Sequence, residues 1–200
     1  MLRWLTHCLC FGSFKVMGSV AVAPLTIEDY RLLPEAGPRY QLVEGDLFMS
    51  PAPNRYHQDV LRNLFFIICS YLERHRLGIV YCAPFDVFLD EINAHQPDLV
   101  FVSKKNDILT AAGAEGAPDF VVEILSPRTA FLDKGGKRKV NARSGVKEYW
   151  IIDPETKLIH VYFLQKDANK PAFTHSEKDT FTSPQFPGLK FKCRDIFKQP

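Results

Sequence analysis

Residues 116–127 read GAPDFVVEILSP and set the narrowest limits on this fold. Gly116-Ala117-Pro118 marks a turn, and Ser126-Pro127 marks a stop. Between them Phe120, Val121, Val122, Ile124 and Leu125 form a short run of strand-forming residues. Such a run predicts a strand buried on both faces. Asp119 opens it and Glu123 sits in its middle. An ionised carboxylate buried alone is costly and sooner takes up a proton. Glu123 therefore demands a partner.

The flanking chain supplies the rest of the architecture. Thr26 is placed to cap a helix through LTIEDYRLLPE, with Glu28 and Asp29 in its first turn and Pro34 ending it. Residues 39–53 read as two strands around Glu44-Gly45-Asp46, a hairpin signal. Residues 54–76 carry Leu61, Leu64, Phe65, Ile68 and Leu72 at helical spacing, with Gly78 as the expected stop. Residues 79–90 are extended with a break at Pro84, and 96–106 form a short strand. Residues 128–145 are polar and basic, with a helical pattern weakened by Gly135-Gly136. Residues 146–154 and 157–165 are two further strands. This order predicts one α/β domain with a mixed sheet. At 200 residues and 46% hydrophobic content, one domain over 25–200 can build a real core.

Residues 1–24 read as an extension, with Met17 preferred as the start over a targeting segment. No stretch approaches a membrane-spanning length. The five cysteines are odd in number and lack a Cys-x-x-Cys pair, so free buried thiols in a reducing cytoplasm are expected. A net charge of +2 neither demands nor excludes nucleic acid, so the placement of charge matters more than its sum.

Four carboxylates stand out: Glu44, Asp98, Asp119 and Glu123. After them the chain turns basic, with Lys134, Lys137, Arg138, Lys139, Arg143 and Lys147. Converging carboxylates repel one another and need a counter-charge. Mg²⁺ suits oxygen ligands, keeps several waters and accepts phosphate oxygens. A lysine beside it adds a point charge, and a basic surface would hold a nucleic-acid backbone. A structural reading stands next to this one. Asp98 after Pro97 can form a turn, Glu123 can pair with an arginine, and a lysine run can be a solvated helix face. Asp119 lies four residues before Glu123, about 13 Å along one strand at ~3.3 Å per residue, too far for both to bind one ion. Asp119 is thus expected to cap the strand or hold a basic side chain. His57 is expected to face the core or to support the site from behind.

Several pieces of this chain resemble a known family. Pro97-Asp98, GAPDFVVEILSP, Asp133 with Lys137, and GVKEYWIIDP at 145–154 are similar to the Uma-two family, a branch of the PD-(D/E)XK nuclease superfamily. LTIEDYRLLPE, RYQLVEGDLFMSPAP, His57-Gln58 and the tail SPQFPGLKF extend the resemblance over roughly residues 25–197. It implies a restriction-endonuclease-like fold, with a central mixed sheet flanked by helices, and Mg²⁺-dependent hydrolysis of DNA phosphodiesters by a metal-activated water, with Mn²⁺ as a substitute. It implies that Asp98 and Glu123 bind metal and that Glu44 completes the site. The motif's lysine position holds Leu125, and the resemblance assigns the lysine role to Lys137 on the following helix. Asn141 stands where the family commonly has tyrosine. Lys134, Arg138, Lys139 and Arg143 are the expected DNA contacts. A cytoplasmic homodimer away from any membrane is expected by analogy. The alternative, kept alive by Leu125, is an inactive nucleic-acid-binding or interaction module on the same fold.

Overall fold

The long helix organises the molecule. In the computed structural model, which describes residues 23–34 and 36–200, it spans Arg55–His75. Asn54 caps it by accepting a hydrogen bond from the His57 amide. Its buried stripe is Val60, Leu61, Leu64, Ile68, Tyr71 and Leu72, with Phe65 only partly buried. The helix ends at Arg76, which adopts the left-handed conformation at φ 51°. Gly78 is not the stop. It opens the next strand, where a Cβ would lie 2.2 Å from the Val102 carbonyl oxygen, so close strand approach requires glycine there.

In chain order the elements are α1 (Ile27–Arg31), β1 (Arg39–Val43), β2 (Asp46–Ser50), α2 (Arg55–His75), β3 (Gly78–Cys82), β4 (Val87–Asp90), β5 (Asn93–His95) and β6 (Leu99–Ser103). There follow β7 (Leu109–Thr110), β8 (Gly113–Glu115), β9 (Phe120–Ile124), α3 (Ala130–Lys134), α4 (Gly136–Ser144), β10 (Glu148–Asp153) and β11 (Leu158–Phe163). Strands β12 (Phe173–Ser176), β13 (Thr180–Ser183) and β14 (Phe186–Lys192) complete the chain before a short 3₁₀ turn. Thr26 caps α1 in a reciprocal pair with Asp29. The β1–β2 hairpin turns at Glu44 and Gly45, both at positive φ, as a two-residue turn matched to strand twist demands.

Among the described residues β13 and β14 form a separate antiparallel pair, and the expected single sheet is two six-stranded sheets. One runs β2-β1-β5-β4-β8-β7 and the other β12-β11-β10-β9-β6-β3. Each is mixed: β4 pairs parallel with β8, and β9 parallel with β10. The chain leaves the second sheet after β3, builds β4 and β5 in the first, and returns at Pro97-Asp98 into β6. The Ala83 amide donates to the Asp98 carbonyl at 3.1 Å, closing that crossing. The break expected at Pro84 is thus a change of sheet.

Strand β9 has every residue buried, between antiparallel β6 and parallel β10. Phe120, Val122 and Ile124 pack with the α2 stripe and with Trp150, Phe181 and Phe186. Val121 and Leu125 face the other way, with Val146, Tyr149 and Ile151. Glu123 shares the parity of Val121 and Leu125, which turns its side chain toward α4. The basic segment is two helices, because Gly135 leaves helical geometry at φ −116°, ψ −97°.

Asp119 is structural, as its distance from Glu123 implied. Its carboxylate accepts from the Ser103 amide at 2.9 Å, from Asn106 and from Lys147. Burial raises its pKa, but Lys147 and the Ser103 amide outweigh that and hold it below the usual carboxylate value. Its stabilisation is therefore present above the ordinary carboxylate pKa and is lost as pH falls through the lowered one. Asp119→Ala is expected to cost about 1–3 kcal/mol at neutral pH, because it strands a buried amide. Urea unfolding at pH 7 and pH 3 checks this, and the difference between the two proteins should shrink in acid.

Cys69, Cys82 and Cys193 are free thiols; Cys193 is buried, but Cys82 is exposed. Cys8, Cys10 and the expected start at Met17 lie outside the described residues. Among the described residues no helix is long and apolar enough to cross a membrane.

Candidate functional site

A cleft of about 530 Å³ opens at the seam between the two sheets. Asp98 enters it from the head of β6, Glu123 from the middle of β9, and Asp133 and Lys137 from α3 and α4. The Lys137 ammonium lies 3.0 Å from Glu123 Oε1 and 2.8 Å from Asp133 Oδ1. All three side chains are at least 96% buried, whereas Asp98 keeps 18% of its side chain exposed. Asp98 Oδ2 accepts from the Ile124 amide at 2.7 Å, which ties β6 to β9 beside Glu123.

One ammonium cannot neutralise three carboxylates. Burial drives the Glu123 pKa well above its ordinary value, and the charges of Asp133 and Asp98 push it further, against the pull of Lys137. Burial likewise raises Asp133, opposed by Lys137. For Lys137 burial favours the neutral amine, but Asp133 and Glu123 outweigh it and the pKa rises. The ammonium is thus charged while the carboxylates compete for it. The cluster is short of positive charge, and a proton on Glu123 or an added cation restores the balance.

The donor set fits a hydrated hard cation. Among the described residues Asp98 Oδ1 and Glu123 Oε2 have no protein hydrogen-bond partner, on a cleft that both residues line. No group of three or more His, Cys, Asp or Glu among the described residues is placed to hold a metal by itself. A cage of that kind suits Ca²⁺ or zinc. Mg²⁺ is commonly held by one or two carboxylates, with waters and substrate phosphates filling the remaining positions.

Glu44 is not part of this floor. Its carboxylate pairs with Arg143, which also reaches Asp90, at the far end of the β1–β2 hairpin. Its left-handed backbone makes it a turn residue. The expected DNA contacts also lie off the cleft. Arg138 stacks on the Tyr162 ring at 4.9 Å, Arg143 is held by Glu44 and Asp90, and Lys134 and Lys139 are exposed outside the lining.

Two residues acquire roles that spacing alone did not define. His57, one turn into α2, brings Nε2 to 3.0 Å from the Ile124 carbonyl and 3.2 Å from Asp98 Oδ2. Burial lowers its pKa, but Asp98 and the Ile124 carbonyl outweigh this and the net shift is upward. Its Nδ1 is buried without a partner, so Nε2 carries the proton of the neutral ring and donates it to both acceptors. Asp133 occurs in the sequence four residues before Lys137, a spacing that pairs them across helical turns, but only the fold shows it beside Glu123. Asn141 faces His95 and donates to the Lys137 carbonyl at 2.8 Å, so it supports α4 from behind.

The family model described as "Uma2: Putative restriction endonuclease" matches residues 27–194. No curated protein matches the chain. Among solved structures, the chain is similar to a crystal structure described as a "putative nuclease belonging to DUF820" from Anabaena variabilis. The TM-score is 0.72 at 20% identity, over 87% of this chain and 98% of that one. At that identity the likeness establishes the shared fold.

Proposed function

The chain belongs to the Uma2 family, and on that premise we propose that it is a Mg²⁺-dependent endonuclease that hydrolyses DNA phosphodiester bonds. The observation that carries this reading is the charge deficit at the cleft floor, where Asp98, Glu123 and Asp133 meet a single buried lysine. Asp98 and Glu123 would hold the ion. Mg²⁺ bound there would neutralise charge on the phosphate and acidify an attacking water. Lys137, held on two sides, would orient that water and stabilise developing negative charge. Asp133 keeps Lys137 pointed at the floor. Glu44 would act only as the clasp of the hairpin against α4. Lys134 and Lys139 would meet phosphates further from the floor. The protein would work in the cytoplasm as a homodimer, which gel filtration tests.

Supercoiled plasmid with Mg²⁺ or Mn²⁺ is the direct test. Nicking that needs a divalent ion and survives neither Glu123→Ala nor Lys137→Ala supports the reading. Cleavage that survives both substitutions would sink it. The buried Lys137 contacts keep a second reading in view, a binding module whose ion cluster is structural; binding with no cleavage in any divalent ion favours it.

His57 is a positioning residue in this scheme. His57→Ala is expected to weaken Mg²⁺ binding by about 10- to 100-fold, the usual effect of losing a group that orients a ligand. Calorimetric titration of Mg²⁺ without DNA measures this. An unchanged affinity would show that His57 only packs.

A further inference from the structure

The proposed chemistry puts a polyanion onto an acidic floor, and the structure has to offset that repulsion. Lys137 is already engaged by Glu123 and Asp133. Two other cationic side chains line the cleft, Arg39 and Arg128. Arg39 opens β1 in the first sheet, and Arg128 sits on the loop after β9 of the second. Both are exposed, and neither forms an ion pair among the described residues. Neither belongs to a basic run of the sequence.

The rest of the lining is equally informative. Among the described residues it contains no Phe, Tyr or Trp. Single-strand binders rely on aromatic side chains to stack bases, and such stacking is worth about 1–3 kcal/mol per base. This cleft offers none. Its walls are short polar groups such as Ser50, Gln41 and Gln96, with Pro51 and Pro53. Gln41 and Gln96 are spent on each other and on Ser50 and Asp86.

We propose that Arg39 and Arg128 form a two-sided phosphate clamp that seats the backbone of duplex DNA over the Asp98–Glu123 floor. The proposal rests on the nuclease reading for its ligand class and adds the gripping residues and the strandedness. A guanidinium fork matches phosphate oxygens with two parallel donors and cannot lose its charge. Recognition built this way is indifferent to base sequence, since phosphate contacts position the duplex without reading it.

The test is fluorescence anisotropy with a labelled 20-base-pair duplex and the matching single strand, in EDTA, over a salt series. Wild type, Arg39→Gln, Arg128→Gln, the double variant and a Lys178→Gln/Lys190→Gln control of equal charge change are compared. Lys178 and Lys190 are exposed and outside the cleft. The wild type should bind duplex more tightly than single strand. Each Arg substitution should lower the slope of log K against log salt by about 0.9, and the double by about 1.8. The control should leave the slope unchanged. A double variant with wild-type slope, an equal loss in the control, tighter binding of the single strand, or no duplex binding by wild type would each overturn the clamp. Cleavage is scored separately on plasmid with Mg²⁺. An Arg-dependent slope without cleavage removes the nuclease reading and leaves the clamp; cleavage with an Arg-independent slope does the reverse.

Discussion

Lys137→Met is expected to remove cleavage and about 3–5 kcal/mol of stability in a single change. The side chain is 3% exposed and sits between Glu123 and Asp133, so its loss leaves two buried carboxylates with no counter-charge. Breaking a buried ion pair from one side typically costs that much. The pH dependence distinguishes this from a simple cavity. Both carboxylates have folded pKa values raised above their ordinary ones. The folded state therefore binds more protons than the unfolded state between the ordinary and the raised values, and stability falls as pH rises through that window. The variant should be least stable at pH 8 and recover toward wild type near pH 5. Urea midpoints at the two pH values measure this. A loss of equal size at both would mean that Lys137 contributes packing and no charge.

Glu123→Gln should produce the opposite combination. Cleavage is expected to fall about 10³-fold, the equivalent of roughly 4 kcal/mol of lost transition-state stabilisation. Stability at pH 8 should hold or rise, because a neutral amide ends the repulsion with Asp98 and Asp133 and its oxygen can still accept from Lys137. Mg²⁺ titration of the variant should show weakened binding. If Glu123 were only one half of a structural ion pair, the substitution would lower the urea midpoint without changing metal affinity. Together the two variants separate a functional carboxylate from a structural lysine contact: one keeps the fold and loses chemistry, the other loses both.

Asp98 and Glu123 were legible because they sit in strongly patterned segments. Glu123 interrupts an apolar run, and Asp98 follows a proline at a strand head. Those local signals survive folding because both strands are central in their sheet. Asp119 was separated from Glu123 by distance along the strand alone, and its Ser103, Asn106 and Lys147 partners agree. The first sheet was not legible as a sheet of its own. β5, β7 and β8 have two or three residues each, too few for a period of two to show. Without that sheet, Glu44 had no visible partner, and only the fold brings Arg143 to it across 99 residues. Lys134 and Lys139 lie outside the cleft because charge density in sequence marks a helix surface, whereas Arg39 and Arg128 reach the cleft from segments far apart.

The chain's change of sheet at Pro84 and its return at Pro97-Asp98 divide the cleft between two sheets. Asp98 and Glu123 belong with one sheet and Arg39, Gln41 and Ser50 with the other, while the helix carrying Lys137 packs on β1 and β4 of the hairpin's sheet. The two sets meet at the seam but share few backbone hydrogen bonds. Substitutions at Arg39 or Ser50 in the β1–β2 hairpin change one wall of the cleft without touching the hydrogen bond between Asp98 and the Ile124 amide. The floor and the hairpin wall thus come from separate stretches of the chain and are joined through the helix that carries Lys137.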